Sequence, residues 1–230
     1  MASENPQSEK EVTTAFAAEL QDSQELSEWQ LDRILFAMFG MLEKRDPLVA
    51  VHCIRVRGYC LLIADAMSLA QAECKILAYA ALLHDLGKIS IPEAILWKSG
   101  KLTSQELELV QKHAQSTYEL LERLPFPAQF ADVPFIASCH HERLDGSGYF
   151  RGLKGDEIPR LARILAVANQ FDTLTSVRHY SEPLPVEKAK EVLLKERERR
   201  LDAAVVDTLM EISADKLGEI MESGPNFVLR

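Results

Sequence analysis

LDRILFAMFGMLEKRDPLVAVHCIRVRGYCLLIADAM, residues 31–67, decides the fold class. In its first half Leu31, Ile34, Leu35, Met38, Phe39 and Leu42 recur at helical spacing and form one apolar stripe. This predicts a helix over about Glu25 to Lys44. Asp46-Pro47 then ends that helix and opens the next, with Asp46 as N-cap and Pro47 in the first turn, where a missing N–H costs nothing. The second helix is predicted to reach about Met67, and it carries His52.

The same pattern continues outward. A third helix is predicted from about Gln71 to His84, ended by Gly87 and Lys88. KISIPEAILWKSGKL (88–102), punctuated by Pro92 and Gly100, reads as a loop with one helical turn. Thr103 and Glu106 form a capping box that opens a helix to about Leu124, carrying His113. Phe126-Pro127 breaks it, and another helix near Ala128 to His140 runs into His140-His141. ERLDGSGYFRGLKGDEIP (142–159) is the longest irregular stretch, and long loops in compact domains usually bear function. Pro159 opens a helix through Asn169 and Phe171; after Pro183 and Pro185, two helices close the chain, about Val186 to Arg199 and Asp202 to Glu222. Strand signals are almost absent. The expectation is an all-α helical bundle with short connections and one long functional loop. Residues 1–24, polar and acidic, read as a tail with a short helix around Val12 to Leu20; residues 25–230 read as one helical domain with an N-terminal helix extension.

The bulk chemistry excludes several classes. A net charge of −9 argues against a nucleic-acid surface, which needs Lys and Arg against the phosphates, but one local basic pocket can still hold a small phosphate ligand. No apolar run approaches the length expected for a membrane span, and MASENPQSEK has no apolar signal core, so a cytoplasmic protein is expected. Cys53, Cys60, Cys74 and Cys139 form no CxxC pair, and three of them lie in apolar helical patterns, as buried free thiols do.

The chain has six histidines: His52, His84, His113, His140, His141 and His179. His84-Asp85 and His140-His141 each stand where an apolar helix meets a glycine-containing loop. Neutral imidazole with carboxylate suits iron, manganese, zinc or nickel, and no thiolate cluster competes. A carboxylate such as Asp85 can bridge two ions with its two oxygens. Paired ions about 3.5–4 Å apart commonly clamp a phosphate and activate a water. A lone buried histidine is more often a hydrogen-bonded core residue; the ordered set, with HHE followed by DGSGY, favours metal.

ALLHDLGKISIP (81–92), HHERLDGSGYFRGLKGDEIP (140–159) and RILAVANQFDTLTSVRHY (163–180) together resemble the HD-GYP branch of the HD-domain phosphohydrolase superfamily, over roughly residues 45–210. The resemblance implies an all-α metal-dependent phosphodiesterase that hydrolyses the bacterial second messenger cyclic di-GMP to pGpG or GMP with iron or manganese. Members usually carry a regulatory domain in front; about forty residues precede the similar region here, fewer than a receiver domain needs. Carried over by position, His52, His84, Asp85, His113, His140, His141 and Asn169 would be metal ligands, with Asp85 bridging. Lys88 would reach a phosphate oxygen as a point charge. Tyr149 and Arg178 would bind substrate, although a loop anchor and a salt bridge are equally good uses of those two. The four glycines of the loop, from Gly146 to Gly155, fit positive φ or close approach.

Four departures stand out. Asn169 replaces an aspartate ligand, so one donor is neutral. Phe150 replaces the proline of the signature, so the loop loses a fixed φ. Leu48 stands one turn before His52, where members with a third metal have glutamate, so two divalent ions are expected. Ser181 also stands where many members have a basic residue. An active phosphodiesterase, a module that binds cyclic di-GMP or a signalling-protein partner without turnover, and a phosphohydrolase of another nucleotide all fit these residues. A homodimer fits as well.

Overall fold

The computed structural model describes residues 26–176 and 182–222. The expected tail, its short helix, Arg178, His179 and Ser181 lie outside the described residues.

The opening stretch folds as its punctuation dictates. Helix α1 (Glu28–Arg45) starts at Ser27, whose side chain and that of Gln30 form a capping box, and buries Leu31, Leu35, Phe39 and Leu42. Each fully buried leucine contributes roughly 1.5–3 kcal/mol of transfer free energy. Asp46 ends α1 and caps α2 (Pro47–Ala66), its Oδ1 accepting from the Leu48 and Val49 N–H groups at 3.0 and 3.2 Å. Helix α2 is the axis of the molecule: it packs against α1, α3 (Gln71–Leu83), α8 (Arg160–Thr175), α10 (Ala203–Glu211) and α11 (Ala214–Met221). Contrary to the sequence expectation, α2 is long and apolar enough to cross a membrane; here most of it is covered by the other helices. Gly58 permits the crossing with α11, since a Cβ there would stand 2.8 Å from the Ile220 side chain.

Between α3 and α8 the chain is more broken than its periodicity predicts. A 3-10 turn (Leu86–Ser90) and the short α4 (Glu93–Leu96) occupy the 88–102 loop. The helix expected from Thr103 to Leu124 is two, α5 (Ser104–Gln111) and α6 (His113–Leu121), because the His113 ring takes the Val110 carbonyl at the joint. The helix expected over 128–140 is a 3-10 turn (Ala128–Phe130) and α7 (Val133–Ser138), restarted by Pro134 in its first turn. A last 3-10 turn, Gly155–Glu157, precedes α8.

Helix α9 (Val186–Glu196) stops short of Arg199, where Glu198 adopts a φ of 67°. The final helix splits into α10 and α11 because Lys190 donates to the Met210 and Ile212 carbonyls and Ser213 caps a fresh start. No strand occurs among the described residues, and the buried residues from Leu31 to Ile220 form one hydrophobic cluster. The all-α bundle is therefore observed. Cys53, Cys60 and Cys139 are buried, Cys74 is half-buried, and all four are free.

Candidate metal centre

Four elements deliver the site. Helix α2 brings His52, the end of α3 and the turn after it bring His84, Asp85 and Lys88, α6 opens with His113, and the turn after α7 brings His140 and His141. His52, His84, Asp85, His113 and His140 are all buried. They sit in two groups able to hold an ion, His52–His84–Asp85 and His113–His140–His141. Asp85 lies between them. Its Oδ2 is 3.6 Å from His52 Nε2 and 3.5 Å from His84 Nε2. Its Oδ1 is 3.3 Å from His113 Nε2 and 3.8 Å from His140 Nε2. One carboxylate thus presents one oxygen to each half.

The other face of each ring fixes its tautomer. Nδ1 of His84, His113 and His140 each donates to the carbonyl three residues earlier, Ala81, Val110 and Ala137, at 2.8, 2.6 and 2.7 Å. His52 Nδ1 donates to Asp172 Oδ2 at 2.7 Å. With the protons so held, the Nε2 lone pairs point inward. They face one another at 3.2 Å for His52 and His84 and 3.1 Å for His113 and His140. Opposed lone pairs this close repel unless a cation lies between or beside them. The donor set therefore fits divalent metal in both halves.

Electrostatics agree. Burial pushes the His84 imidazole down to about 4. Burial, then the neighbouring histidines, depress His140 and His141 well below the usual range, which keeps these rings neutral and ligand-competent near neutral pH. Burial alone would raise the Asp85 carboxyl; Lys88, His84 and His113 outweigh it and hold it well below the ordinary carboxylate range. Lys88 Nζ lies 2.6 Å from Asp85 Oδ2.

Of the remaining sequence candidates, Tyr149 stacks on His141, ring centroids 4.5 Å apart, and meets His113 edge-on at 6.3 Å. Asn169 is buried on α8. Leu48 is exposed. Three structural partners escaped the sequence reading. Asp172, one turn beyond Asn169 in the same motif, receives His52 Nδ1, Arg55 Nε at 2.7 Å and Ser176 Oγ at 2.9 Å. Glu142, the third letter of HHE, is buried and accepts from the Arg151 and Leu153 N–H groups at 2.8 and 3.0 Å, which folds the loop back over the histidines. Thr117 accepts from Gly87 N and donates to the His84 carbonyl. Asp172 is legible as the one acid in its quoted motif. Thr117 carries no local signal and Glu142 only its place in HHE, because the partners of both are distant backbone groups.

An HD domain family model matches residues 7–205. A cyclic di-GMP phosphodiesterase response regulator of Xanthomonas campestris is 41% identical over 170 residues, covering 74% of this chain and 44% of that protein. A 3′3′-cGAMP-specific phosphodiesterase of Vibrio cholerae is 36% identical over 178 residues, covering 77% of this chain and 34% of that protein. This chain thus spans less than half the length of these relatives. Among solved structures, a cyclic GMP-AMP specific phosphodiesterase of Vibrio cholerae aligns with a TM-score of 0.54 at 28% identity, over 90% of this chain and 44% of that one. An HDG"Y"P protein from Bdellovibrio bacteriovorus shares the fold, with a TM-score of 0.56 at 20% identity, over 75% of this chain and 52% of that one.

Proposed function

This chain belongs to the HD-domain family, and from that premise we propose that it is a metal-dependent phosphodiesterase that hydrolyses cyclic di-GMP to pGpG or GMP. The observation that carries the proposal is the division of Asp85, one oxygen toward His52 and His84 and the other toward His113 and His140. A single carboxylate serving two imidazole sets is the donor arrangement for two divalent ions, with iron or manganese suited to its nitrogen and oxygen ligands. When bound, such a pair supplies Lewis acidity toward a phosphate oxygen and lowers the pKa of a water.

The chain's own groups do the rest. Backbone carbonyls and Asp172 keep the imidazole protons on Nδ1 and the Nε2 atoms free. Lys88 brings a compact positive charge beside Asp85, where it can neutralise charge developing on the phosphoryl group. The Tyr149 ring, stacked on His141, borders the other half and fits a role in holding substrate, a role the resemblance also gives to Arg178. Four free cysteines and a nucleotide ligand fit a cytoplasmic setting.

Anaerobically purified protein loaded with Mn²⁺ or Fe²⁺ and given cyclic di-GMP should yield linear pGpG or GMP on chromatography. A parallel assay with 3′3′-cGAMP ranks the two ligands, both of which appear in the names of relatives. Asn169 favours a second reading, a module that binds cyclic di-GMP without turnover, because a neutral amide stands where the resemblance calls for an anion. Ligand binding with no product, in protein shown to hold metal, would select it.

A further inference from the structure

Arg151 lies outside the metal ligands, yet among the described residues its guanidinium meets four side chains beside the site. It faces three aromatic rings, with Cζ 4.5 Å from the Tyr118 centroid, 4.8 Å from Phe135 and 4.2 Å from Phe150. Its Nη1 donates to Ser138 Oγ at 2.9 Å, and that hydroxyl donates to the Phe135 carbonyl. Its backbone N–H is held by buried Glu142. A cation among π faces is attracted to each, and the attraction grows as water is excluded.

The partners come from three elements, and each of those elements presents part of one half of the metal centre. Tyr118 is on α6, which opens with His113. Phe135 and Ser138 are on α7, whose following turn carries His140 and His141. Phe150 and Arg151 follow Tyr149, whose ring stacks on His141 and whose N–H donates to the His141 carbonyl at 3.3 Å. The loop backbone lies hard against this turn: a Cβ on Gly148 would stand 2.5 Å from Glu142 Cα and from the His141 carbonyl oxygen. The other half of the centre is tied differently, through Asp172 and Arg55 on α8 and α2.

We propose that Arg151 is a positioning residue that sets the His113–His140–His141 half of the metal centre and the Tyr149 ring above it, independently of the His52–His84 half. The cage holds by charge and ring geometry what the Phe150 backbone does not fix by a proline ring. The proposal rests on the metal-centre reading, but its test reads metal affinity and so stands apart from whether a cyclic dinucleotide is hydrolysed.

The experiment is calorimetric titration of the metal-free full chain with Mn²⁺, with helical circular dichroism as a folding control. Wild type should take up two ions. Arg151→Ala should weaken one of them by 10- to 100-fold, the range found when outer partners of metal ligands are lost, and leave the other within about 2-fold. Arg151→Lys, which keeps the cation, should recover most of the loss. Asp172→Asn should weaken the opposite ion. Tyr118→Leu removes one half-buried ring and keeps the test alive if Arg151→Ala does not fold; it should weaken the same ion as Arg151→Ala. Unchanged titrations for Arg151→Ala in folded protein would overturn the proposal, as would equal weakening of both ions. Uptake of two ions with selective loss in Arg151→Ala, but no turnover by wild type, would sustain it while refuting the phosphodiesterase.

Discussion

At the scale of the residue, Asp85 is the group on which most depends. It is buried, faces four imidazole Nε2 atoms within 3.8 Å, and is held in its anionic form. Asp85→Ala removes negative charge from both halves at once, and the other buried acids nearby are already engaged, Asp172 by His52 and Arg55 and Glu142 by the Arg151 and Leu153 N–H groups. Metal content should fall from two ions per chain toward none, and phosphodiesterase turnover by at least about 100-fold, with helical circular dichroism retained. Retention of two ions with full turnover would remove Asp85 from the bridging role. Asn169 offers the complementary test. An amide oxygen is a neutral donor, so Asn169→Asp adds a negative charge beside a divalent ion. Mn²⁺ binding should tighten by about 10-fold on titration, in line with about 1.4 kcal/mol, if residue 169 is a ligand. An unchanged affinity would remove it from the ligand set.

At the scale of the element, the site depends on close backbone approach as much as on side chains. The 3-10 turn after α3 is pressed onto α6 at Gly87, where a Cβ would stand 2.1 Å from the His113 carbonyl oxygen and 2.7 Å from Thr117 N. Both obstacles are backbone and cannot rotate away. Gly87 N also donates to Thr117 Oγ1 at 2.9 Å, so the contact aligns the His84-Asp85 turn with the helix that carries His113. Gly87→Ala must part the two elements. It should cost about 1–3 kcal/mol by overpacking and weaken Mn²⁺ binding together with thermal stability. A variant with wild-type melting temperature and wild-type titration would show that the turn adjusts without moving its ligands. The aromatic cage around Arg151 works at this scale too, since it joins two helices and a loop rather than two atoms.

At the scale of the whole molecule, a nest of neutral buried imidazoles makes folding depend on pH. The His84 ring is pushed down to about 4 by burial, from an ordinary value near 6.5. Between those values the unfolded chain binds the proton and the folded chain does not. Stability of the metal-free protein must therefore fall as pH drops from about 6.5 to about 4, by about 3 kcal/mol from His84 alone. His140 and His141 act in the same direction. Thermal unfolding of metal-free protein should show a clearly lower midpoint at pH 5 than at pH 7.5. Saturating Mn²⁺ should raise the midpoint at both, because an ion bound only by the folded state stabilises it by mass action. A midpoint that is level or higher at pH 5 would mean that these rings do not stay neutral in the fold.

The sequence by itself determined the helical class, the α1–α2 junction, the long loop and the ordered His/Asp set. Each is written in local terms: apolar spacing at 3.6 residues, Asp46-Pro47, the Thr103–Glu106 capping box, and adjacent ligand pairs at helix ends. Only the tertiary structure decided where the helices break. The His113 ring claims a carbonyl at one joint, and Lys190 reaches across from α9 to end α10. It alone divided the candidate ligands into two halves around Asp85 and revealed Asp172, Glu142, Thr117 and Arg151 as the groups packed and hydrogen-bonded around them. The partners that tie these groups to other parts of the chain lie 9 to 120 residues away, and periodicity carries no information about which distant groups a fold will bring within 3 Å.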